Sequence, residues 1–189
     1  MSSNKTSKRY IAFLRGINVG GHHKVPMADL RKEFEKLGFK DIVTLLNSGN
    51  ILFDTISDDI DKLEELISLH LERVFGFPIP TIIRTSEMIS RLLKSEPFGE
   101  IEITKDIRLY VSLLRHNNDR DLNLPWKSVD DSYEVIAEID NTVLSVLDLS
   151  ISSTPKAMSA LDRHFGSDIT TRNWNTIERI GKKIIASSI

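Results

Sequence analysis

The stretch RGINVGGHHKVPM, residues 15 to 27, gathers an arginine, an asparagine, two histidines and a lysine around three glycines, directly after the apolar run Tyr10 to Leu14. Those residue types suit an anion. Backbone N–H groups near a helix start, joined by the Arg15 guanidinium, the Asn18 amide and the Lys24 ammonium, make a seat for phosphate or carboxylate, with Gly20 and Gly21 letting the backbone come close. Gly16 to Gly21 has the glycine spacing of a P-loop, but His22 and His23 stand where that loop requires Lys and then Ser or Thr. The dinucleotide spacing G-x-G-x-x-G is absent as well. The competing reading is steric: the glycines only let the chain turn sharply from strand to helix.

Two further polar stretches invite the same question. Ser48-Gly49-Asn50 reads first as a hairpin turn, and Ser48 and Asn50 add a hydroxyl and an amide to any site beside it. In TTRNWN, residues 170 to 175, Thr171 is placed to cap a helix, which puts Arg172 and Asn173 in its first turn. The helix dipole disfavours a cation there by about 0.3 to 1 kcal/mol, so an arginine makes more sense beside an anion. The plainer alternative is a solvated Arg172 head with Trp174 anchoring the helix.

Other chemistries find no support. The histidines at 22, 23, 70, 116 and 164 show no ligand spacing, so no metal is expected, and no cofactor motif is present. No G-x-S-x-G elbow marks a serine nucleophile, and Asp58, Asp59 and Asp61 read as helix-start charge rather than acid/base machinery. The sequence therefore commits to no reaction.

A chain of 189 residues with 40% hydrophobic and 28% charged residues has the composition of a globular protein. Its net charge of -2 argues against coating nucleic acid or an acidic membrane by charge alone, so any anion site must be local. The absence of cysteine suits a reducing compartment, and the polar leader MSSNKTSKR is followed by no apolar run of about 18 residues. The expectation is a cytoplasmic protein without a membrane segment, residues 1 to 8 forming a loose tail.

These loops need elements to hold them. Tyr10 to Leu14 reads as a buried strand, and Leu30, Phe34 and Leu37 mark a helix opened by Pro26 and closed by Gly38. Ile42 to Leu46 and Ile51 to Thr55 flank the Asn47 to Asn50 turn. A helix follows from Asp58 to Gly76, then a strand at Thr81 to Thr85 and a short helix from Ser86 to Lys94. This order matches the split βαβ, or ferredoxin-like, pattern. SEPFGEIEITKD, residues 95 to 106, lacks periodicity and marks a boundary, dividing the chain into residues 1–97 and 98–189.

The second half reads as a strand at Ile107 to Leu114, a polar loop through Asn117, Asn118 and Pro125, and a hairpin of Tyr133 to Ile139 and Thr142 to Leu149 turning at Asp140-Asn141. Two helices follow, one from Pro155 to Gly166 and one carrying Trp174, Ile177, Ile180 and Ile184. The expected fold class is thus α+β, two ferredoxin-like halves with largely antiparallel sheets. A structural duplication is suggested by the order of elements, without a visible repeat of residues. The RNA-binding version of this fold is disfavoured, because its aromatic strand signature is missing.

RGINVGG, KVPM at Lys24 to Met27, SGN at Ser48 to Asn50 and TTRNWNT at Thr170 to Thr176 occur in an order that resembles a bacterial family known only as domain of unknown function 1697. The resemblance implies an α+β fold and one polar surface formed by these motifs, and it names no substrate. With the residues, it leads to one expectation: binding of a phosphate-bearing small molecule or nucleic acid by Arg15, Asn18, Gly20, Gly21, Lys24, Ser48, Asn50, Thr171, Arg172 and Asn173. The alternative is a protein-interaction or regulatory module assembling through its sheets.

Overall fold

In the computed structural model, residues 6–115, 124–166 and 168–187 are described. The expected loop residues Asn117 and Asn118, and most of the expected tail, lie outside them. The chain divides into two compact units, Met1–Glu87 and Met88–Ile189. The division falls before the expected 97/98 boundary, because the helix at Ser86–Lys94 sets Leu93 against Gly181 so closely that a Cβ on that glycine would collide with Leu93 Cδ1.

The first unit runs β1 (Lys8–Leu14), α1 (Met27–Lys36), β2 (Lys40–Leu45), β3 (Asn50–Thr55), α2 (Ile60–Phe75) and β4 (Thr81–Thr85), leading into α3 (Ser86–Lys94). Its sheet has the order β2-β3-β1-β4, every neighbouring pair antiparallel. Alternation on the strands sends Tyr10, Ala12, Leu14, Ile51, Phe53 and Ile83 to one face, where Leu30 and Phe34 of α1 and Leu63, Ile67 and Leu71 of α2 complete a core. The spacing of those helical residues is the i, i+4 stripe anticipated from sequence. Asp59 caps α2 by accepting from the Lys62 amide at 3.1 Å, and Gly76 ends it in the left-handed region.

One edge of this sheet is closed. The outward amides of Thr81 and Ile83 on edge strand β4 donate to Ser68 Oγ at 3.1 Å and to Glu64 Oε1 at 2.8 Å. Four residues of helix rise about 6 Å while two residues of strand span about 6.8 Å, so side chains at i and i+4 of α2 match alternate amides of the strand.

The second unit runs β5 (Ile107–Leu114), β6 (Trp126–Lys127), β7 (Tyr133–Ile139), β8 (Thr142–Asp148), α4 (Thr154–Phe165), β9 (Ile169–Asn173) and α5 (Trp174–Ala186). Its antiparallel sheet has the order β6-β7-β8-β5-β9. Tyr110, Leu114, Tyr133, Val135, Val143 and Leu147 meet Ala157, Leu161 and Phe165 in a second core. Asp140 and Asn141 both take positive φ, 48° and 57°, giving the expected tight hairpin turn. Two strands were not anticipated. β6 has only two residues, and β9 reads from sequence as a loop because Thr-Thr-Arg-Asn lacks apolar alternation; its pairing with β5 makes it a strand.

Registers in the two sheets correspond. Tyr10 faces Phe53 and Thr85, and Tyr110 faces Ser145 and Asn173; Leu14 N donates to Gly49 O at 2.8 Å, and Leu114 N donates to Asn141 O at 2.9 Å. Arg15 N donates to Pro80 O and Arg115 N to Asp168 O. The registers place YIAFLR, residues 10 to 15, and YVSLLR, residues 110 to 115, at corresponding positions of the two sheets. Tyr110 follows its counterpart by 100 positions, Thr142 follows Asn50 by 92, and Arg172 follows Arg84 by 88, so no single offset relates the two sheets.

Candidate functional site

The loop after β1 is organised by one side chain. Asn18, at a φ of 56°, donates through Nδ2 to Val25 O at 3.0 Å and Asn47 O at 2.8 Å, while its Oδ1 accepts from Val25 N at 2.8 Å. Its backbone amide donates to His23 O at 3.0 Å. A single asparagine thus ties together the RGINVGG loop, the KVPM segment and the turn before β3. Between Asn18 and His23 the chain makes a small hairpin, Val19 bridging His22, with Gly20 and Gly21 at its tip at φ 59° and 79°. The His23 ring stacks on Phe77 at 4.2 Å between centroids, and its Nδ1 lies 3.2 Å from Gly16 O.

The SGN turn supports this loop from below. A Cβ on Gly49 would come within 2.7 Å of Ile17 Cδ1 and 2.9 Å of Leu14 Cβ, so only glycine lets the turn lie against the loop. Asn50 is fully buried and donates through Nδ2 to Leu45 O and Ser48 Oγ, each at 3.0 Å. The side chains of Asn18 and Asn50, both expected as ligand contacts, are thus engaged in holding the loop. Gly20, Gly21, Lys24 and Ser48 are exposed, and Arg15 is half-buried.

An open cavity of about 400 Å³ lies where this loop meets the amino end of α1, bounded by Asn18, Gly21, Lys24, Val25, Met27 and Asn47. No side chain caps α1. Three elements that favour an anion therefore meet here: the Gly21 backbone, an exposed lysine, and a helix start with its partial positive charge.

In the second unit Thr171 is not a helix cap. β9 extends through Arg172 to Asn173, and Asn173 is the N-cap of α5, its side chain making no capping bond. Nor is the Arg172 head solvated. It is buried, donating through Nη1 to Thr170 Oγ1 and Thr171 O, each at 2.9 Å, and burial pulls its pKa down to about 10. Thr171 Oγ1 lies 2.8 Å from Ser112 Oγ across the strand pair. Trp174, half-buried at the start of α5, meets Phe98 edge-on at 5.1 Å.

Sequence reasoning missed a larger cavity, about 490 Å³, between β6, β7 and α4 in the second unit. Its lining comes from scattered apolar and polar residues with no local motif to mark it along the chain. Among the described residues no group of three or more histidines or acidic residues is placed to hold a metal ion, and no helix is long and apolar enough to cross a membrane.

No curated protein matches this chain. A solved structure, that of conserved bacterial protein SP0830 from Streptococcus pneumoniae, is similar at 24% identity with a TM-score of 0.65, covering 94% of this chain and 98% of that one, which speaks to the fold alone. RGINVGG, KVPM and SGN fall within the part of the chain matched by a family model, and TTRNW lies beyond it. That model, described as Protein of unknown function (DUF1697), matches residues 7–143, and the chain belongs to this family.

Proposed function

We propose that the protein binds an anionic, phosphate-bearing ligand at the loop of the first unit, with Lys24 supplying the charge and the Gly20-Gly21 tip and the start of α1 supplying backbone amides. The observation that carries this is the cavity at the amino end of α1, bounded by Gly21 and Lys24 and shaped by a loop whose internal bonds Asn18 satisfies. A side chain held by three bonds preorganises the loop, which lowers the cost of ordering it around a ligand. Arg15 and Ser48 belong to the wider proposal as further contacts at this loop, and Thr171, Arg172 and Asn173 on β9 are proposed as a second polar stretch, in the other unit. In the cytoplasm, the compartment favoured by a chain without cysteine, nucleotides and exposed nucleic-acid phosphates are the two sources of such an anion.

The common registers support a proposal about origin: both units are split βαβ, ferredoxin-like units that arose by duplication, the second showing no helix corresponding to α1 among the described residues. Assembly through sheet edges is the competing function. It is disfavoured at β4, whose outward amides are already taken by Glu64 and Ser68.

A thermal-shift titration with pyrophosphate, ATP and a short single-stranded RNA tests the binding reading, since only a ligand preferring the folded state raises the midpoint. Saturable stabilisation that weakens about tenfold in Lys24→Gln, with the unliganded midpoint unchanged, is the expected result. No saturable shift with any of the three, or equal shifts in the variant, would overturn it.

A further inference from the structure

The two units differ on the helix-covered face of the sheet. In the first, α1 lies over β2, and its Phe34 meets Phe53 edge-on at 5.4 Å while Phe39 stands 4.5 Å from the same ring. In the second, Ser145 takes the place of Phe53, each facing its unit's first-strand tyrosine. Among the described residues, no helix lies between β5 and β7, the counterpart of β2. A large ring has become a hydroxyl, and no described helix covers it. The 490 Å³ cavity opens on this side, over β7 and beside α4.

Its lining has a direction. Trp126, Tyr133, Ala157 and Ala160 make an apolar wall, with the Trp126 and Tyr133 rings edge-on at 6.3 Å. At the polar end, Asp130 accepts from Lys156 Nζ at 2.6 Å and from the Ser128 and Ser132 hydroxyls at 2.7 and 2.6 Å. Those bonds, that from Lys156 foremost, hold the Asp130 carboxyl well below the usual range, so it remains an anion and neutralises Lys156. Arg163 lies seven residues on from Lys156, on the same side of α4, and has no hydrogen bond or ion pair among the described residues. One positive charge is left over. Beneath the apolar wall the buried hydroxyls of Tyr133 and Ser145 lie beside one another, with no other hydrogen-bond partner among the described residues.

We propose that this cavity is a binding site for a small amphipathic anion, an aromatic or alicyclic body seated against Trp126, Tyr133 and Ala157 with one carboxylate or sulfonate turned to Arg163. Its volume lies within the ~300–1,000 Å³ of small-molecule sites, and an apolar lining with a few convergent polar groups is their usual make-up. The site is separate from the loop of the first unit and does not depend on the reading given for that loop.

The test is a fluorescence titration of the full chain with 8-anilinonaphthalene-1-sulfonate and with its neutral relative N-phenyl-1-naphthylamine. Both should bind saturably at one site and take energy from Trp126, so that Trp126→Phe loses the transfer and Trp174→Phe keeps it. Exposed Arg163→Gln should weaken the sulfonate about tenfold and leave the neutral probe within about twofold, the difference one charge-assisted bond makes. Half-buried Ala160→Trp, and separately Ala157→Met, should fill the cavity and abolish both signals while the unfolding midpoint stays within a few degrees of wild type. Binding that is not saturable, or saturable binding unchanged by Arg163→Gln and by the filling variant that keeps its midpoint, would overturn the proposal.

Discussion

Arg84 and Arg172 occupy the same place in two different sheets: Arg84 faces Ile11 on β1 one residue before Thr85 faces Tyr10, and Arg172 faces Val111 on β5 one residue before Asn173 faces Tyr110. Both are buried, and each donates through Nη1 to the carbonyl of the residue before it, at 2.8 and 2.9 Å. Arg84 belongs to none of the four motifs. The positional pairing makes Arg172 part of the strand's construction, whatever else it does.

From this follows an expectation opposite to that for a solvated arginine. Arg172→Ala removes the Nη1 hydrogen bonds to Thr170 and Thr171 and the packing of a long buried stem, and should lower unfolding free energy by about 2 to 4 kcal/mol, with Arg84→Ala in the same range. Urea denaturation reads both. A loss below about 0.5 kcal/mol in Arg172→Ala would return its head to the solvent-facing role.

The glycines of the two motif loops should respond differently. Gly49→Ala meets Ile17 and Leu14 as well as a φ of 74°, and should cost at least about 2 kcal/mol, the sum of left-handed strain and overpacking. Gly20→Ala, at φ 59° with nothing within 4 Å, should cost about 1 kcal/mol. Equal losses in the two variants would show that backbone strain alone decides both.

At the closed edge, Glu64→Ala leaves the buried Ile83 amide without the acceptor now 2.8 Å away and should destabilise by about 1 to 3 kcal/mol, whereas Glu64→Gln, which keeps an oxygen there, should lose less. Hydrogen exchange at Ile83 should quicken in the alanine variant only. Unaltered exchange in that variant would mean that water replaces the carboxylate without cost.

Glu33 gives the first unit an acid-side pH dependence. The hydrogen bond from Lys36 at 2.7 Å, followed by that from His70 at 2.9 Å, holds its carboxyl below the ordinary 4.5 against the opposing effect of burial. A lowered folded pKa means that the unfolded chain binds more protons in this window, so the stabilisation is present above 4.5 and is lost as pH falls through the lowered value. Wild type should therefore lose more stability than Glu33→Gln between roughly pH 5 and pH 3, by less than about 1 kcal/mol since Lys36 is largely exposed. Parallel urea midpoints over that range would exclude the effect.

Local chemistry in the sequence was enough to determine most of the α+β elements, the Asp140-Asn141 turn, the acidic start and glycine stop of α2, and the motif loops of the first unit, because periodicity, helix-end and turn residues act within a few positions of one another. Tertiary structure alone decided the rest. Asn18 reads as a ligand donor until Asn47, 29 residues away, is brought to its amide, and β9 reads as a loop until β5 supplies its partner. The matching registers of the two sheets and the cavity beside α4 were hidden for the same reason: they bring together residues far apart in sequence, β1 pairing with β3 across 37 to 47 positions and β5 with β9 across 55 to 63, spans that no local window contains.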